Sequence, residues 1–342
     1  MTPTTVCKML KSLVIIAVCV GMALPETSGQ ASADEPFSFI AFGDMPYNKT
    51  DRETLKAVGA SFQRQQDPYP FAVFYGDMQA GGEKCTEELY RSNRDQIFAV
   101  TTKPLFLTFG DNDWTDCDRQ GDDELKKLKE ARRILLDPTY LPENRIAQPQ
   151  PWDIVRSETY PELVRWQYSG VVFAAFHIVG TDNGRRKINV HDENPMKKKA
   201  RAEVGRRDQA NEALLDDVFA GAADMSAAVV VMHADPIENT KYKDAQACAG
   251  NTQKKCHPFS AFLKAVANKA RTFGKPVLLI HGSTEDVCVS INFLGVPNLT
   301  RFNGPGDGVS DLAVVSVDVT TAGKTFAFSG IRAGTISKAC NE

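Results

Sequence analysis

From residue 37 onward the chain alternates short apolar runs with longer amphipathic stretches. Phe37 to Phe42, Phe71 to Tyr75 and Pro104 to Phe109 have the length and the β-branched and aromatic content of strands. Between them, Asp51 to Gln65 and Glu87 to Val100 place apolar residues at helical spacing, with Thr50 or Asp51 as the expected N-cap of the first. A third helix is expected over Asp122 to Leu136, stopping before Asp137-Pro138. Strand–helix–strand–helix–strand order predicts parallel βαβ units.

Residues 138–161 are rich in proline and polar side chains and predict a long surface excursion. A strand pair follows at Arg165 to Tyr168 and Val171 to Val179, then a basic stretch, Met196 to Arg207, that merges into a helix reaching about Phe219. That stretch reads as a solvated helix face in preference to an anion-steering patch. Ala227 to Met232 and Pro276 to Ile280 are further buried strands, separated by a helix over Pro258 to Phe273. Strands at Leu312 to Val319 and Thr325 to Ser329 close a β-rich tail. Without internal repeats or a linker, the pattern predicts one α/β domain over residues 34–342.

The first 33 residues break the pattern. Lys8 and Lys11 precede an apolar run from Leu13 to Leu24, and Ala31-Ser32-Ala33 supplies a small-x-small site before Asp34. This is the form of a cleaved secretory signal, with an uncleaved anchor as the alternative. No later run approaches twenty apolar residues, so no membrane contact is expected after cleavage. The expected location is secreted or periplasmic. A net charge of −3 argues against a dedicated nucleic-acid binder, which needs a basic surface, and no nucleic-acid partner is expected.

Six of the eight cysteines lie beyond the leader, an even count that favours disulfides in an exported chain. Six cysteines allow fifteen pairings. Cys85 lies eight residues after Asp77 and Cys117 six after Asp111, so a bridge between them would tie those two loops if the aspartates share a site. Cys248 and Cys256 flank a short polar loop, and Cys288 with Cys340 is the remainder. Zinc binding is the weaker alternative, since no pair has the close spacing of a zinc knuckle.

Chemistry gathers where strands end. Three apolar runs finish in Gly-Asp: Gly43-Asp44, Gly76-Asp77 and Gly110-Asp111, the last continuing Asn112-Asp113. Two more finish in histidine, at His233 and at His281-Gly282-Ser283-Thr284-Glu285. α/β sheets present ligands at the carboxyl ends of their strands. If the sheet gathers these ends, three or four carboxylates share a small space and cannot all ionise without a counter-charge. A divalent cation, or a pair, resolves the repulsion and can activate water. An oxygen-rich set with one or two histidines suits Mn, Fe, Zn, Mg or Ca. His177, inside an apolar run, reads as structural; His191 and His257 carry no signal.

The order of these blocks resembles the calcineurin-like metallophosphoesterases, whose pattern is Asp-x-His, Gly-Asp, Gly-Asn-His-Asp/Glu, a lone His, and Gly-His-x-His. All five blocks occur in that order between Phe37 and about Asp286. The resemblance implies a four-layer αββα sandwich of two mixed sheets with a two-metal site along one edge. It also implies hydrolysis of phosphate esters or anhydrides by a metal-bound hydroxide. Position by position, Asp44, Asp77, Asp111 and His233 match ligands, and Glu285 falls on the last histidine. Pro46 and Ser283 stand where ligand histidines are expected, and Asn112 where the leaving group's proton donor is expected. An amide is no general acid at any relevant pH, so Asn112 is expected to donate a hydrogen bond to a phosphoryl oxygen instead. Asn183 would do likewise if its loop reaches the site. Ala80 occupies the position three residues after the second Asp where a tyrosine ligand would mark the purple-acid-phosphatase variant.

Two functions follow. The first is an exported, metal-dependent phosphoesterase that uses one or two divalent ions (Mn, Fe, Zn or Mg) on a small phosphorylated substrate. The alternative is a catalytically weak or inactive member of the same fold that binds metal or ligand. A dinucleotide-binding enzyme is disfavoured, because no Gly-x-Gly-x-x-Gly follows the first strand.

Overall fold

The computed structural model describes residues 35–145, 152–185, 195–237, 245–248, 256–284, 286–321 and 323–341, with 195–198, 200 and 201 as backbone only. The expected leader, 1–33, and Glu285 lie outside the described residues.

The first three strands are β1 (Phe37–Phe42), β2 (Ala72–Phe74) and β3 (Leu105–Leu107). They run parallel, with Ala41 opposite Val73 and Phe74 opposite Leu107. The second sheet is built from β4 (Val155–Arg156), β5 (Val164–Tyr168), β6 (Val171–Ala175), β7 (Ala227–Val231), β8 (Val277–His281), β9 (Cys288–Ile291) and β10 (Leu299–Asn303). Its order is β4-β5-β6-β7-β8-β10-β9, with β6, β7, β8 and β10 parallel. The chain then returns to the first sheet through β11 (Ala313–Val317), β12 (Phe326–Gly330) and β13 (Gly334–Thr335), which extend it antiparallel as β13-β12-β11-β1-β2-β3. Both sheets are therefore mixed.

The layering follows from side-chain alternation, because successive residues of a strand face opposite sides of the sheet. Ile40 and Phe42 of β1, with Ala72 and Phe74 of β2, pack against α1 (Lys49–Arg64), α2 (Glu87–Phe98) and α3 (Glu124–Leu135) through Leu55, Phe62, Ile97 and Leu128. Their neighbours Phe39, Ala41 and Val73 face the other way, onto Trp166, Phe173, Val229 and Ile280 of the second sheet. The alternate residues of that sheet, among them Val172, Val230 and Leu279, meet its helices through Leu215, Val218, Leu263 and Val266. The result is a helix–sheet–sheet–helix sandwich, as the resemblance implies. Aromatic rings fill the middle: Phe106 stacks on Trp166 at 3.7 Å between centroids, and Phe71 lies edge-on to Phe106 and Phe173.

Several boundaries differ from the sequence pattern. Asn48 caps α1, its side chain accepting from Asp51 N while Asp51 accepts from Asn48 N, so the cap lies two residues before Thr50. Residues 138–161 are not all surface. They contain the short helix α4 (Pro142–Arg145) and the strand β4, and they bury Trp152 and Tyr160. The apolar run after Val171 leaves the sheet at Ala175, and a single turn follows, α5 (Gly180–Gly184). The sequence pattern misses β9 and β10. In β10 the buried Arg301 interrupts the apolar signal, since its charge is met internally by Asp235.

The basic stretch lies in α6 (Pro195–Ala220), which precedes the last helix, α7 (Ser260–Phe273). Arg206 pairs with Glu203 at the surface, as on a solvated face. Arg207 is instead fully buried, over the Trp114 ring and donating to Asn183 O and Oδ1. The six cysteines outside the leader form Cys85–Cys117, Cys248–Cys256 and Cys288–Cys340, which leaves no thiolate for zinc. No helix among the described residues is long and apolar enough to cross a membrane.

Candidate metal centre

β1, β2 and β3 run parallel in one sheet and β6, β7 and β8 in the other, and residues just past β1, β2 and β7 meet at one edge of the sandwich. Asp44 and Asp77 sit two and three residues past β1 and β2, each in the left-handed region (φ 53° and 57°). A non-glycine residue held there is strained, and such strain is characteristic of sites where a side chain must be aimed. Asp111 follows β3 and His233 follows β7. Ligand atoms of Asp44, Asp77 and His233 all lie within 4.8 Å of one another. The Asp111 carboxylate joins them, its Oδ1 3.2 Å from His233 Nε2.

The histidine defines what the group can hold. His233 Nδ1 lies 3.1 Å from the Tyr75 carbonyl, an acceptor only, so Nδ1 carries a proton and the Nε2 lone pair points at the carboxylates. Nε2 is 3.3 Å from Asp77 Oδ2 and 3.2 Å from Asp111 Oδ1, yet it is buried and makes no hydrogen bond of good geometry. A lone pair facing carboxylate oxygens requires a cation or a proton between them.

Without metal the protonation equilibria carry that demand. Burial pushes Asp44 up to about 7 and Asp77 well above the ordinary carboxylate range. Burial also raises Asp111, but the close approach and charge of His233 outweigh it and leave Asp111 below its usual value. Burial disfavours charge on His233, and the surrounding aspartates overcome it, so the imidazole is raised well above its usual value. One imidazole nitrogen and two carboxylates, buried and converging, with the partly exposed Asp111 carboxylate beside them, fit a hard or borderline divalent ion.

Close packing keeps the ligands aimed. Asp113 accepts from Gly110 N (2.7 Å), Asp77 N (3.0 Å) and Met78 N (2.8 Å), clipping the second and third loops together. Asp113 is therefore a brace, not a ligand, and burial raises it to about 6 despite those three donors. The Cys85–Cys117 bridge ties the same two loops, and Gln79 Nε2 donates across to Asn112 O. A Cβ at Gly180 would lie 2.6 Å from Asp111 Oδ1, so only glycine leaves that carboxylate its place.

Asn112 reaches the cleft as expected. Its backbone N donates to Asp77 Oδ1 at 2.9 Å, and its side-chain amide donates to Tyr47 Oη at 3.2 Å. Tyr47 is absent from the sequence reading, although it lies three residues after Asp44. Its phenol lies 3.2 Å from Asp77 Oδ2 and 3.4 Å from Asp44 Oδ1, with one proton to share between them. The signal was local: a tyrosine in the loop of the first Gly-Asp, where Pro46 leaves the expected histidine missing. Asp116, Arg119 and Thr181, which also line the cleft of about 270 Å³, were likewise unmarked.

Three expectations need correction or restriction. Asn183 does not face the cleft; its amide is buried against Val179 N, Arg207 and Asp208. Its turn presents Thr181 instead, whose hydroxyl lies 2.6 Å from Asp111 Oδ2 and 2.9 Å from Asp116 Oδ1. His281 is no ligand: its Nε2 accepts from Arg301 Nε at 2.8 Å, and burial drives it down to about 4. Glu285 lies outside the described residues; nearby, Ser283 N donates to Asp44 Oδ2 at 3.0 Å. His177 is structural, as expected. Nδ1 meets Glu162 at 2.6 Å, and Nε2 accepts from Trp114 Nε1 at 3.1 Å.

No family model and no curated protein matches the sequence. Among solved structures, the chain is similar to GAP50, described as the anchor in the inner membrane complex of Plasmodium, at 12% identity and a TM-score of 0.45 over 89% of this chain and 90% of that one. It is similar to the protein TT1561 of Thermus thermophilus at 12% identity and 0.41, covering 87% and 100%. A third similar structure is a novel phosphatase from Mycoplasma pneumoniae, at 11% identity and 0.42, covering 89% and 95%.

Proposed function

We propose that the protein is an exported, metal-dependent phosphoesterase acting on a small phosphate ester or anhydride. One observation carries the reading: the His233 Nε2 lone pair, fixed by the Tyr75 carbonyl, faces Asp77 and Asp111 with Asp44 alongside. Asp44, Asp77, Asp111 and His233 would hold the cation, and the αββα architecture with five strand-end blocks in family order supports phosphoester chemistry. When bound, a divalent ion supplies Lewis acidity and a water nucleophile at neutral pH.

The chain's own residues divide the remaining work. Asp113 and the Cys85–Cys117 bridge hold two ligand loops in register. Asn112, anchored through its backbone to Asp77, presents an amide at the cleft wall and binds a phosphoryl oxygen. It donates a hydrogen bond but no proton, so the substrates best served have leaving groups that depart without general-acid help, such as anhydrides and aryl esters. Export is supported by the N-terminal sequence and the three disulfides.

Expression of residues 34–342 under oxidising conditions, with elemental analysis and hydrolysis of aryl phosphates, tests the reading. Stoichiometric metal and turnover, both lost in Asp77→Ala, are the expected result. Metal without turnover would favour a binding module on the same fold, and a protein that takes up no metal would overturn the site.

A further inference from the structure

We infer that Arg119 is the phosphoryl-recognition residue of this cleft, and that it selects substrates ending in a terminal phosphate over phosphodiesters; the inference rests on the phosphoesterase reading above. Among the described lining residues, five carboxylates (Asp44, Asp77, Asp111, Asp116 and Asp307) face a single cationic side chain, Arg119. A divalent metal among the first three would offset most of their charge but would leave the wall towards Asp116 with this guanidinium as its one cationic group among the described lining residues. An anionic substrate therefore has two cationic contacts open to it along the described lining, a metal held by those aspartates and Arg119.

The arginine is held for such a task. It lies in the short 3-10 turn Asp116–Gln120, which Cys117 fastens to Cys85. Its Nη2 lies 2.5 Å from Asp116 Oδ2, and Asp116 is buried while the guanidinium is half exposed to the cleft. Asp116 Oδ1 meets the Thr181 hydroxyl, which in turn meets Asp111 Oδ2, so the cation is fixed relative to a metal ligand. A Cβ at Gly81 would lie 3.1 Å from Arg119 Nη1 and 2.5 Å from Asn112 Oδ1. Glycine there allows the guanidinium and the Asn112 amide to approach one spot on the wall.

Oxygen count turns this placement into specificity. A phosphomonoester or a terminal anhydride phosphate offers three non-bridging oxygens, and a diester offers two. A bound cation and Asn112 would take two, and the third would fall to Arg119, whose planar fork suits phosphate oxygens. A diester places an esterified oxygen and its substituent against the guanidinium instead.

The test compares matched aryl phosphate mono- and diesters on metal-loaded wild type, Arg119→Ala and Arg119→Lys, alongside calorimetry with inorganic phosphate. Loss of one charge-assisted contact should lower kcat/KM for the monoester about 10–100-fold, mainly through KM, with the diester nearly unchanged. Phosphate affinity should fall in parallel, and Arg119→Lys should recover only part of each loss because it keeps charge without the fork. If Arg119→Ala fails to fold, Arg119→Lys decides, since the monoester preference must shrink there too. Equal losses on both esters, or unchanged phosphate affinity, would overturn the assignment, as would a wild type that binds no phosphate. A wild type that binds phosphate through Arg119 but cleaves neither ester would leave the anion site standing and sink the phosphoesterase reading.

Discussion

Asn112 shows how one residue can be anchored by one group and act with another. Its backbone N–H is committed to Asp77 Oδ1, so the side chain is delivered to the cleft by a fixed loop, with Tyr47 Oη as its partner. Removing the amide should cost one hydrogen bond to a charged phosphoryl oxygen. Asn112→Ala is therefore expected to lower hydrolysis about 10–100-fold with metal content unchanged. Steady-state kinetics at saturating metal, with elemental analysis of the same sample, checks this; unaltered hydrolysis would remove Asn112 from the reaction. His233 lies at the other extreme. Its tautomer is set by a main-chain carbonyl on a neighbouring strand end, so no local sequence feature announces which nitrogen faces the metal.

At the scale of elements, the ligand loops depend on cross-links more than on their own conformations. Asp44 and Asp77 hold left-handed backbone angles that cost roughly 1–3 kcal/mol each, and the surroundings must sustain them. The Cys85–Cys117 bridge, 32 residues apart in sequence, closes the segment that carries α2 and β3 between two ligand loops. Cys85→Ala with Cys117→Ala should lower stability by about 2–4 kcal/mol and weaken metal affinity together. The same change at Cys248 and Cys256, whose bridge spans eight residues and joins neither ligand loop, should leave metal affinity intact. Denaturant unfolding and metal titration on both variants read the contrast, and equal effects on affinity would refute the bracing role.

A second brace is aromatic. Phe71 is buried at the centre of the inter-sheet cluster, touching the rings of Phe39, Phe106, Trp152, Trp166 and Phe173. Phe71→Ala is expected to cost about 3–5 kcal/mol, measured as a shift in the denaturant midpoint.

The whole molecule carries a polar seam between its layers. Arg132 binds Glu162, Glu162 meets His177 Nδ1, and Trp114 donates to His177 Nε2, all in or beside the core. Burial drives His177 down from 6.5 to about 4, the Glu162 charge only partly opposing it. Burial would raise Glu162, but the facing His177 and Arg132 outweigh it and bring it to about 2. Both folded values lie below the unfolded ones, so in each case the unfolded chain takes up its proton first as pH falls. Stability from His177 is present above pH 6.5 and is lost as pH falls towards 4. The Glu162 contribution persists above about 4.5 and is lost towards 2. Metal-free protein should lose up to roughly 3 kcal/mol from His177 alone between these limits, seen as a falling denaturant midpoint. His177→Gln should flatten that part of the profile.

Much of this was legible in the chain. Three apolar runs ending in Gly-Asp, two ending in histidine, and helical spacing between them determined the strands that carry the site, the parallel order of the first three and the identities of Asp44, Asp77, Asp111 and His233 as site candidates. Those signals are local, because strand burial and turn chemistry write themselves into neighbouring residues. Tertiary structure decided what depended on contacts distant in sequence. Arg301 interrupts the apolar pattern of β10, and its burial is made tolerable by pairing with Asp235 and a hydrogen bond to His281 Nε2. Asn183 and Thr181 are two residues apart, yet the turn of α5, held by Arg207, sends Thr181 to the ligands and Asn183 into the core. Tyr47 and Arg119 look like ordinary loop residues until the parallel strands β1, β2 and β3 bring their loops to one edge. Residue order can specify which strand ends carry metal-binding groups, but only the packing of one sheet on the other determines which side chains meet around them.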